Sequence, residues 1–177
     1  MYKSVYKSPI GTINMRSDGE YLTGLWFPHS RDEKKHDFEY EQKDLKIFDE
    51  TKKWLDIYFS GKNPDFLPKY KLENLTPFRK QVIDILLKIS YGTTITYKDI
   101  AEEIAKKNGK KKMSAQAVGG AVGWNPICII IPCHRVVGTN GSLTGYGGGI
   151  RKKIMLLDFE NVDMKDFILP LDGSVWE

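Results

Sequence analysis

Three prolines, Pro64, Pro68 and Pro77, interrupt the chain beyond Gly61, and they limit what this sequence can build more than any other feature. A proline ring fixes φ and removes a backbone donor, so neither a helix nor a central strand runs through the stretch. The segment near 61–76 therefore reads as a linker, with a boundary near residue 70 and two units expected at 1–72 and 73–177. A chain of 177 residues divides into two small domains at most.

The two sides of the linker are patterned differently. From Tyr2 to Phe27, short β-rich runs alternate with turn signals at Ser8-Pro9-Ile10-Gly11 and Ser17-Asp18-Gly19, which predicts an antiparallel meander. Residues 28–39 are polar and read as a loop. Leu45, Phe48, Leu55, Tyr58 and Phe59 then recur at helical spacing until Gly61, giving a helix able to cover one face of the sheet. The second half reads as mainly helical. Thr76 caps a helix with Pro77 at its first position, and Phe78, Val82, Ile85, Leu86 and Ile89 supply its core face before Gly92. Thr96 opens another with Asp99 three residues on, a variant capping box, and with Ile100, Ala101 and Ile104 buried. Ser114 caps a third from Ala115 to about Trp124. The run Ile127-Cys128-Ile129-Ile130-Ile131 reads as a short buried strand that delivers the chain to Pro132.

The net charge of +4 is unevenly placed. Residues 1–74 carry 13 Lys+Arg and 13 Asp+Glu, residues 75–160 carry 13 and 6, and residues 161–177 carry 1 and 4. Within the basic block, Lys106, Lys107, Lys110, Lys111 and Lys112 crowd around Gly109. Such a run fits a polyanionic partner touched by one half of the chain, or a solvated lysine loop. No stretch approaches the roughly 18 apolar residues of a membrane span. The start, Met1-Tyr2-Lys3-Ser4-Val5, has no apolar signal core, so a cytoplasmic protein with no membrane partner is expected. Cys128 and Cys133 read as free thiols rather than a disulfide framework.

The third helix is unusual in composition. Ala115, Ala117, Val118, Gly119, Gly120, Ala121 and Val122 leave little bulk, and each glycine costs about 1 kcal/mol against alanine inside a helix. A helix, a turn and a small-faced helix beside a basic run is the pattern of a helix-turn-helix reader of DNA, although tight helix packing accounts for the small residues equally well. After it comes Pro132-Cys133-His134-Arg135-Val136-Val137, which sets a thiol beside an imidazole and a guanidinium. A neighbouring His and positive charge favour the nucleophilic thiolate. In an extended strand Cys133 and His134 would face opposite ways, so direct activation calls for a bend or a bridging water. Cys128, with apolar neighbours only, reads as a core residue.

This hexapeptide resembles the O6-alkylguanine-DNA alkyltransferases. Ser8-Pro9-Ile10-Gly11, Tyr97, Ala117-Val118-Gly119-Gly120-Ala121-Val122, Asn125-Pro126, Tyr146 and Leu156-Leu157-Asp158-Phe159-Glu160 extend the resemblance over essentially residues 1–160. It implies an α+β or α/β, two-domain fold: an RNase H-like N-terminal domain of antiparallel sheet plus helix, and an α-rich C-terminal winged helix-turn-helix domain. The implied partner is double-stranded DNA containing O6-alkylguanine, entered through the minor groove with the damaged base flipped out, and the implied assembly is a monomer.

By position, the resemblance makes Cys133 the nucleophile and alkyl acceptor and His134 its water-mediated base, with Glu160 orienting the imidazole. Asn125 would brace the active-site turn, and Tyr97 would donate a proton toward the leaving guanine and help rotate the phosphate. The pocket would use the carbonyls of Cys133 and Val136 and the Gly147 amide, with Tyr146 and Val122 as walls. Ser114, Ala115, Gln116, Ala117, Gly119 and Gly120 would meet DNA, with Gln116 standing where the family often has an arginine. Arg135 is expected to pair within its domain, outside the catalytic set. No cofactor is implied, because DNA itself is the alkyl donor, and O4-methylthymine is a conceivable second substrate. No metal site is implied either: some members hold zinc, but no cysteine precedes Cys128 here, and His29 and His36 alone do not suffice. Two other readings compete: a sensor that binds the lesion without chemistry, and a cysteine hydrolase built on Cys133, His134 and Glu160.

Overall fold

The computed structural model describes residues 1–170; residues 171–177, the end of the acidic tail, lie outside the described residues. The chain forms two compact units, one of residues 1–74 with 126–130, the other of residues 75–125 together with the chain from 131 onward.

In the first unit, strands β1 (Tyr2–Ser8) and β2 (Gly11–Ser17) form a hairpin closed at Ser8 and Gly11, and β3 (Leu22–Trp26) continues antiparallel to β2. Helix α1 (Lys46–Phe59) packs on all three strands and buries Phe48, Trp54, Leu55 and Tyr58. It ends where expected, with Gly61 at φ 81°, the left-handed conformation that suits a glycine after a helix.

Two expectations for this unit need correction. Residues 28–39 are not simply a loop: Arg31–His36 form a 3-10 turn, and β4 (Glu41–Gln42) follows, parallel to β1, so the sheet order is β3-β2-β1-β4. The polar sequence hides this because His36 is buried by stacking on Trp26 rather than by apolar neighbours of its own. The run 127–131 is not a strand. Only Ile127 bridges β3, at Leu25; residues 128–130 turn, and Ile129 has φ 67°. A short apolar run looks the same whether extended or folded back once it is buried on every side. Its backbone still serves the sheet, since Leu25 N donates to Pro126 O (2.9 Å) and Cys128 N to Leu25 O (2.9 Å). Together with the Leu22–Tyr70 bridge, this covers the edge that β3 would otherwise leave unpaired.

The second unit is built on α2 (Pro77–Leu86), α3 (Tyr97–Lys107), α4 (Ala115–Trp124) and α5 (Ile150–Phe159). The first three pack on one another. Each carries its sequence-encoded cap: Thr76 accepts from Arg79 N, Ser114 accepts from Ala117 N, and Thr96 and Asp99 form a reciprocal capping box. α2 stops at Leu86, so Ile89 belongs to the turn beyond the helix, where it is still buried. β5 (Ile95–Thr96) and β6 (Val136–Val137) make a two-residue parallel pair. That pair lashes the start of α3 to the segment just after Cys133. Removing the cap by Thr96→Ala should cost about 1 kcal/mol, read in urea denaturation as a lower midpoint with an unchanged slope.

Candidate active site

Cys133 opens a 3-10 turn, Cys133–Arg135, and is 7% exposed. This turn replaces the extended geometry that would have set the thiol and imidazole on opposite faces. Asn125, directly after α4, holds it from behind: its Nδ2 donates to Ile131 O (2.9 Å) and approaches Cys133 Sγ at 3.2 Å. Cys133 N itself closes on Ile131 O at 2.8 Å. The amide side chain thus sets both the approach of the chain and the position of the sulfur.

His134 and Glu160 are buried together, with His134 Nε2 at 2.6 Å from Glu160 Oε1. Arg135 donates to the same carboxylate from Nε (2.9 Å) and Nη2 (3.0 Å), and Gly92 N donates to it at 3.0 Å. Its remaining fork reaches Ile89 O at 2.7 Å. Burial alone would raise the Glu160 carboxyl; the hydrogen bond of His134, its charge while the ring is protonated, and then the hydrogen bond and charge of Arg135 override it and hold the group at about 2. His134 is pushed below its ordinary value, by burial first, with Arg135 and Lys153 reinforcing the shift against the Glu160 carboxylate. A carboxylate that accepts from Nε2 leaves the lone pair on Nδ1, and no described residue hydrogen-bonds to that buried nitrogen. The imidazole, its pKa lowered, is therefore held as the neutral tautomer with its lone pair on Nδ1.

Tyr97, the first residue of α3, directs its hydroxyl to Gly145 O (3.0 Å) and Thr144 O (3.3 Å). Burial, and after it the charge of Cys133, raises its pKa well above the ordinary phenol value, so it keeps its proton. Glycine is required at 145: φ is 66°, and a Cβ there would meet the Tyr97 hydroxyl at 3.2 Å. Val122, Val136 and Tyr146 are buried, and Gly147 lies half-buried in the turn before α5. The carbonyls assigned to the pocket floor already have partners. Val136 N donates to Cys133 O, and Lys153 Nζ donates to Val136 O (2.6 Å) and Thr144 O (2.9 Å).

Two sequence profiles match the chain: 6-O-methylguanine DNA methyltransferase, ribonuclease-like domain, over residues 1–67, and the DNA binding domain of the same family over residues 77–162. The chain belongs to the O6-methylguanine-DNA methyltransferase family. A Methanosarcina acetivorans methylated-DNA--protein-cysteine methyltransferase is 38% identical over 98% of this chain and 99% of its own length. Its Haemophilus influenzae counterpart is 36% identical over 94% and 89%. The crystal structure of Mycobacterium tuberculosis OGT in complex with DNA superposes with a TM-score of 0.77 at 34% identity, covering all of both chains.

Among the other residues that the family resemblance singled out, α4 exposes Ser114, Ala115, Gln116, Ala117 and Gly120, while Val118, Ala121 and Val122 face inward. Gly119 is half-buried, and a Cβ there would lie in ordinary contact with the Tyr97 ring. A Cβ at Gly120 or Gly123 would meet nothing within 4 Å, so packing among the described residues does not explain these two glycines. Sequence reasoning missed Lys153. It is fully buried, no carboxylate among the described residues pairs with it, and burial lowers its pKa to about 8 despite the charge of Cys133. The signal was a lysine on the same helical stripe as Ile150, Leu156 and Leu157, masked by the adjacent Arg151 and Lys152.

Glu160→Gln leaves Arg135 buried beside a neutral amide and should cost about 3–5 kcal/mol of folding stability in denaturant titration. In the unaltered protein the depressed carboxyl contributes stability that is complete above the ordinary value of 4.5 and is lost as pH falls toward about 2. Acid unfolding followed by circular dichroism should show that loss, and Glu160→Gln should remove this share of the acid sensitivity.

Proposed function

We propose that this chain repairs DNA by direct reversal, transferring the alkyl group of O6-alkylguanine to Cys133 in a single irreversible displacement. The observation that carries the reading is the buried Asn125–Cys133–His134–Glu160 arrangement, in a chain related over nearly its whole length to methylated-DNA--protein-cysteine methyltransferases.

In this reading, His134 takes the thiol proton at Nδ1 through a water, and Glu160 stabilises the imidazolium that forms. The sulfur attacks the carbon bonded to guanine O6; the S–C bond forms as the C–O bond breaks, and the electron pair leaves with guanine. Tyr97 supplies a proton to the departing base once its hydroxyl turns away from the Gly145 and Thr144 carbonyls. The product is a thioether, which water does not cleave, so each molecule acts once. No cofactor enters the balance, because DNA carries the alkyl group.

The DNA-binding part is assigned to α3, the lysine-bearing turn and α4, acting as the helix-turn-helix of a winged-helix domain. Support comes from the outward, unfilled space at Gly120 and Gly123, which lets a groove wall approach the α4 backbone, and from the exposed lysines of residues 106–112. Minor-groove entry with Gln116 filling the space of an extruded base accounts for a slim, uncharged helix face. The residues this reaction requires all come from one chain, which suits a monomer. No helix among the described residues is long and apolar enough to cross a membrane, and the cytoplasm is the compartment we assign.

Incubation with duplex DNA bearing O6-methylguanine should add one methylene unit to the intact mass, located by peptide mapping on Cys133. Unmodified DNA should leave the mass unchanged. Cys128→Ser should transfer normally and Cys133→Ser not at all; transfer lost in the first variant would overturn the assignment. Tyr97→Phe, which keeps the ring but removes the proton, should slow transfer by about 100-fold in single-turnover kinetics while leaving Cys133 accessible to small thiol reagents.

A further inference from the structure

The second unit carries a groove along α3 whose floor the proposed reaction does not use. It measures about 690 Å³, with Ala101, Ala105 and Met113 on its floor and Lys106, Lys110, Lys111 and Lys112 along its rim. Ala101 and Ala105 are buried and Met113 is half-buried, whereas the four lysines are exposed. At one end Lys98 is paired with Glu102 at 3.7 Å; no such ion pair among the described residues engages the rim lysines. Crowded like charges repel one another, and their methylene stems extend the apolar lining. The groove therefore suits an anionic partner that also brings apolar side chains. A nucleic-acid backbone matches the rim but leaves the floor uncovered.

The chain itself supplies such a segment. Beyond Pro170 follow Leu171-Asp172-Gly173-Ser174-Val175-Trp176-Glu177, which set two carboxylates among three large apolar side chains. The described residues fix where this segment departs. Ile168 N donates to Gly141 O (3.0 Å), and Ile168 O accepts from Leu143 N (2.9 Å). Ile168 and Leu169, at 54% and 49%, are the most exposed large apolar side chains among the described residues, so the apolar character of the segment begins on the surface. The same turn reaches α3: the carbonyls of Thr144 and Gly145 accept from the hydroxyl of Tyr97, the residue before Lys98 at the end of the groove. Seven extended residues span about 23 Å, against about 12 Å of helix between Lys98 and Lys106.

We propose that the groove seats residues 171–177 of the same chain, their carboxylates against the rim lysines and their apolar side chains on the floor, so that this segment competes with DNA for those lysines. A tethered segment meets its site at an effective concentration of about 1 mM, so a contact with an intrinsic Kd of about 1 mM docks it half of the time and one of about 0.1 mM docks it about nine-tenths of the time. The competition rests on the assignment of the lysine-bearing turn to DNA; the docking does not. Undamaged DNA, held mainly by charge, then has to displace the segment, which shortens futile residence away from a lesion.

Docking is tested on the full chain at low salt by carbodiimide coupling with peptide mapping. Asp172 or Glu177 should couple to Lys106, Lys110, Lys111 or Lys112, and in a mixture of 14N- and 15N-labelled protein the coupled peptides should carry a single label. In 1H–15N NMR, Trp176→Ala and the pair Asp172→Asn with Glu177→Gln should each shift the amides of Ala101, Ala105 and Met113, and added salt should shift them the same way. No coupling of these carboxylates to the rim, or no shift on the floor, overturns the proposal. So do coupled peptides of mixed label, which mark the groove as a seat for a second copy. The pair Asp172→Asn with Glu177→Gln should also tighten binding to undamaged duplex DNA about 2- to 10-fold, the range that half to nine-tenths docking gives; unchanged affinity overturns the competition. Lys110→Gln with Lys111→Gln separates the two readings. Should it leave DNA affinity unchanged, the assignment of this turn to DNA fails, while the coupling and the shifts still decide the docking.

Discussion

The second unit depends on one carboxylate. Glu160 sits at the C-terminal end of α5, where the helix dipole disfavours negative charge, and it is withdrawn from water. Arg135 offsets both penalties with a two-pronged grip, and the Gly92 amide and His134 ring take up further lone pairs. Because Arg135 also donates to Ile89 O, a single buried cluster ties together the end of α5, the turn that carries Cys133 and the turn after α2. A buried ion pair adds little net stability over an apolar replacement. Its contribution is specificity of position: it selects the tautomer of His134 and leaves the lone pair on Nδ1, the atom that acts as base in the proposed reaction. Arg135 is in this sense a positioning residue, although it lies two residues from Cys133, the proposed nucleophile.

Local chemistry made much of this fold legible. The bounds of α3 and α4 follow from Thr96, Asp99 and Ser114 because capping is a short-range hydrogen-bonding problem that four consecutive residues solve by themselves. The hairpin at Ser8–Gly11 and the stop at Gly61 are of the same kind. What escaped was settled at long range. Residues 126–130 join the first unit through backbone bonds to Leu25, a pairing about 100 residues distant that no local pattern encodes. The 3-10 turn at 31–36 is held by His36 stacking on Trp26, and polar composition concealed it. At the site, the motif residues were readable one by one. The carbonyls they share with Lys153 were not, since burial of a lysine is decided by partners far along the chain.

Charge is divided between the units according to task. The first unit is balanced, and its buried Arg16 is engaged with Thr23 and with the face of Phe38. The second carries the chain's surplus of +4, which lies in the exposed turn before α4. In the proposed complex these lysines supply attraction to phosphates that is blind to sequence, while the small residues of α4 let the backbone approach the groove. An uncharged Gln116 at the front of that helix is compatible with this division, because it leaves the electrostatic attraction to the lysines behind it.

Lys153 links the chemistry to its single use. An ammonium with no carboxylate partner among the described residues is held by two carbonyls that accept from it, and negative charge developing at Cys133 would favour it further. That attraction is mutual, so in the proposed reaction the same ammonium would stabilise a thiolate at the moment of attack. In the proposed reaction the sulfur becomes a neutral thioether, and the attraction disappears from both sides. Asn125 Nδ2 at the same time faces a thioether, a poorer acceptor than a thiolate. The features that favour the reactive form of the site therefore stop favouring it once it has reacted. An environment arranged around a charge that the reaction consumes suits a protein that acts once, whereas a turnover enzyme must restore its nucleophile in the same surroundings.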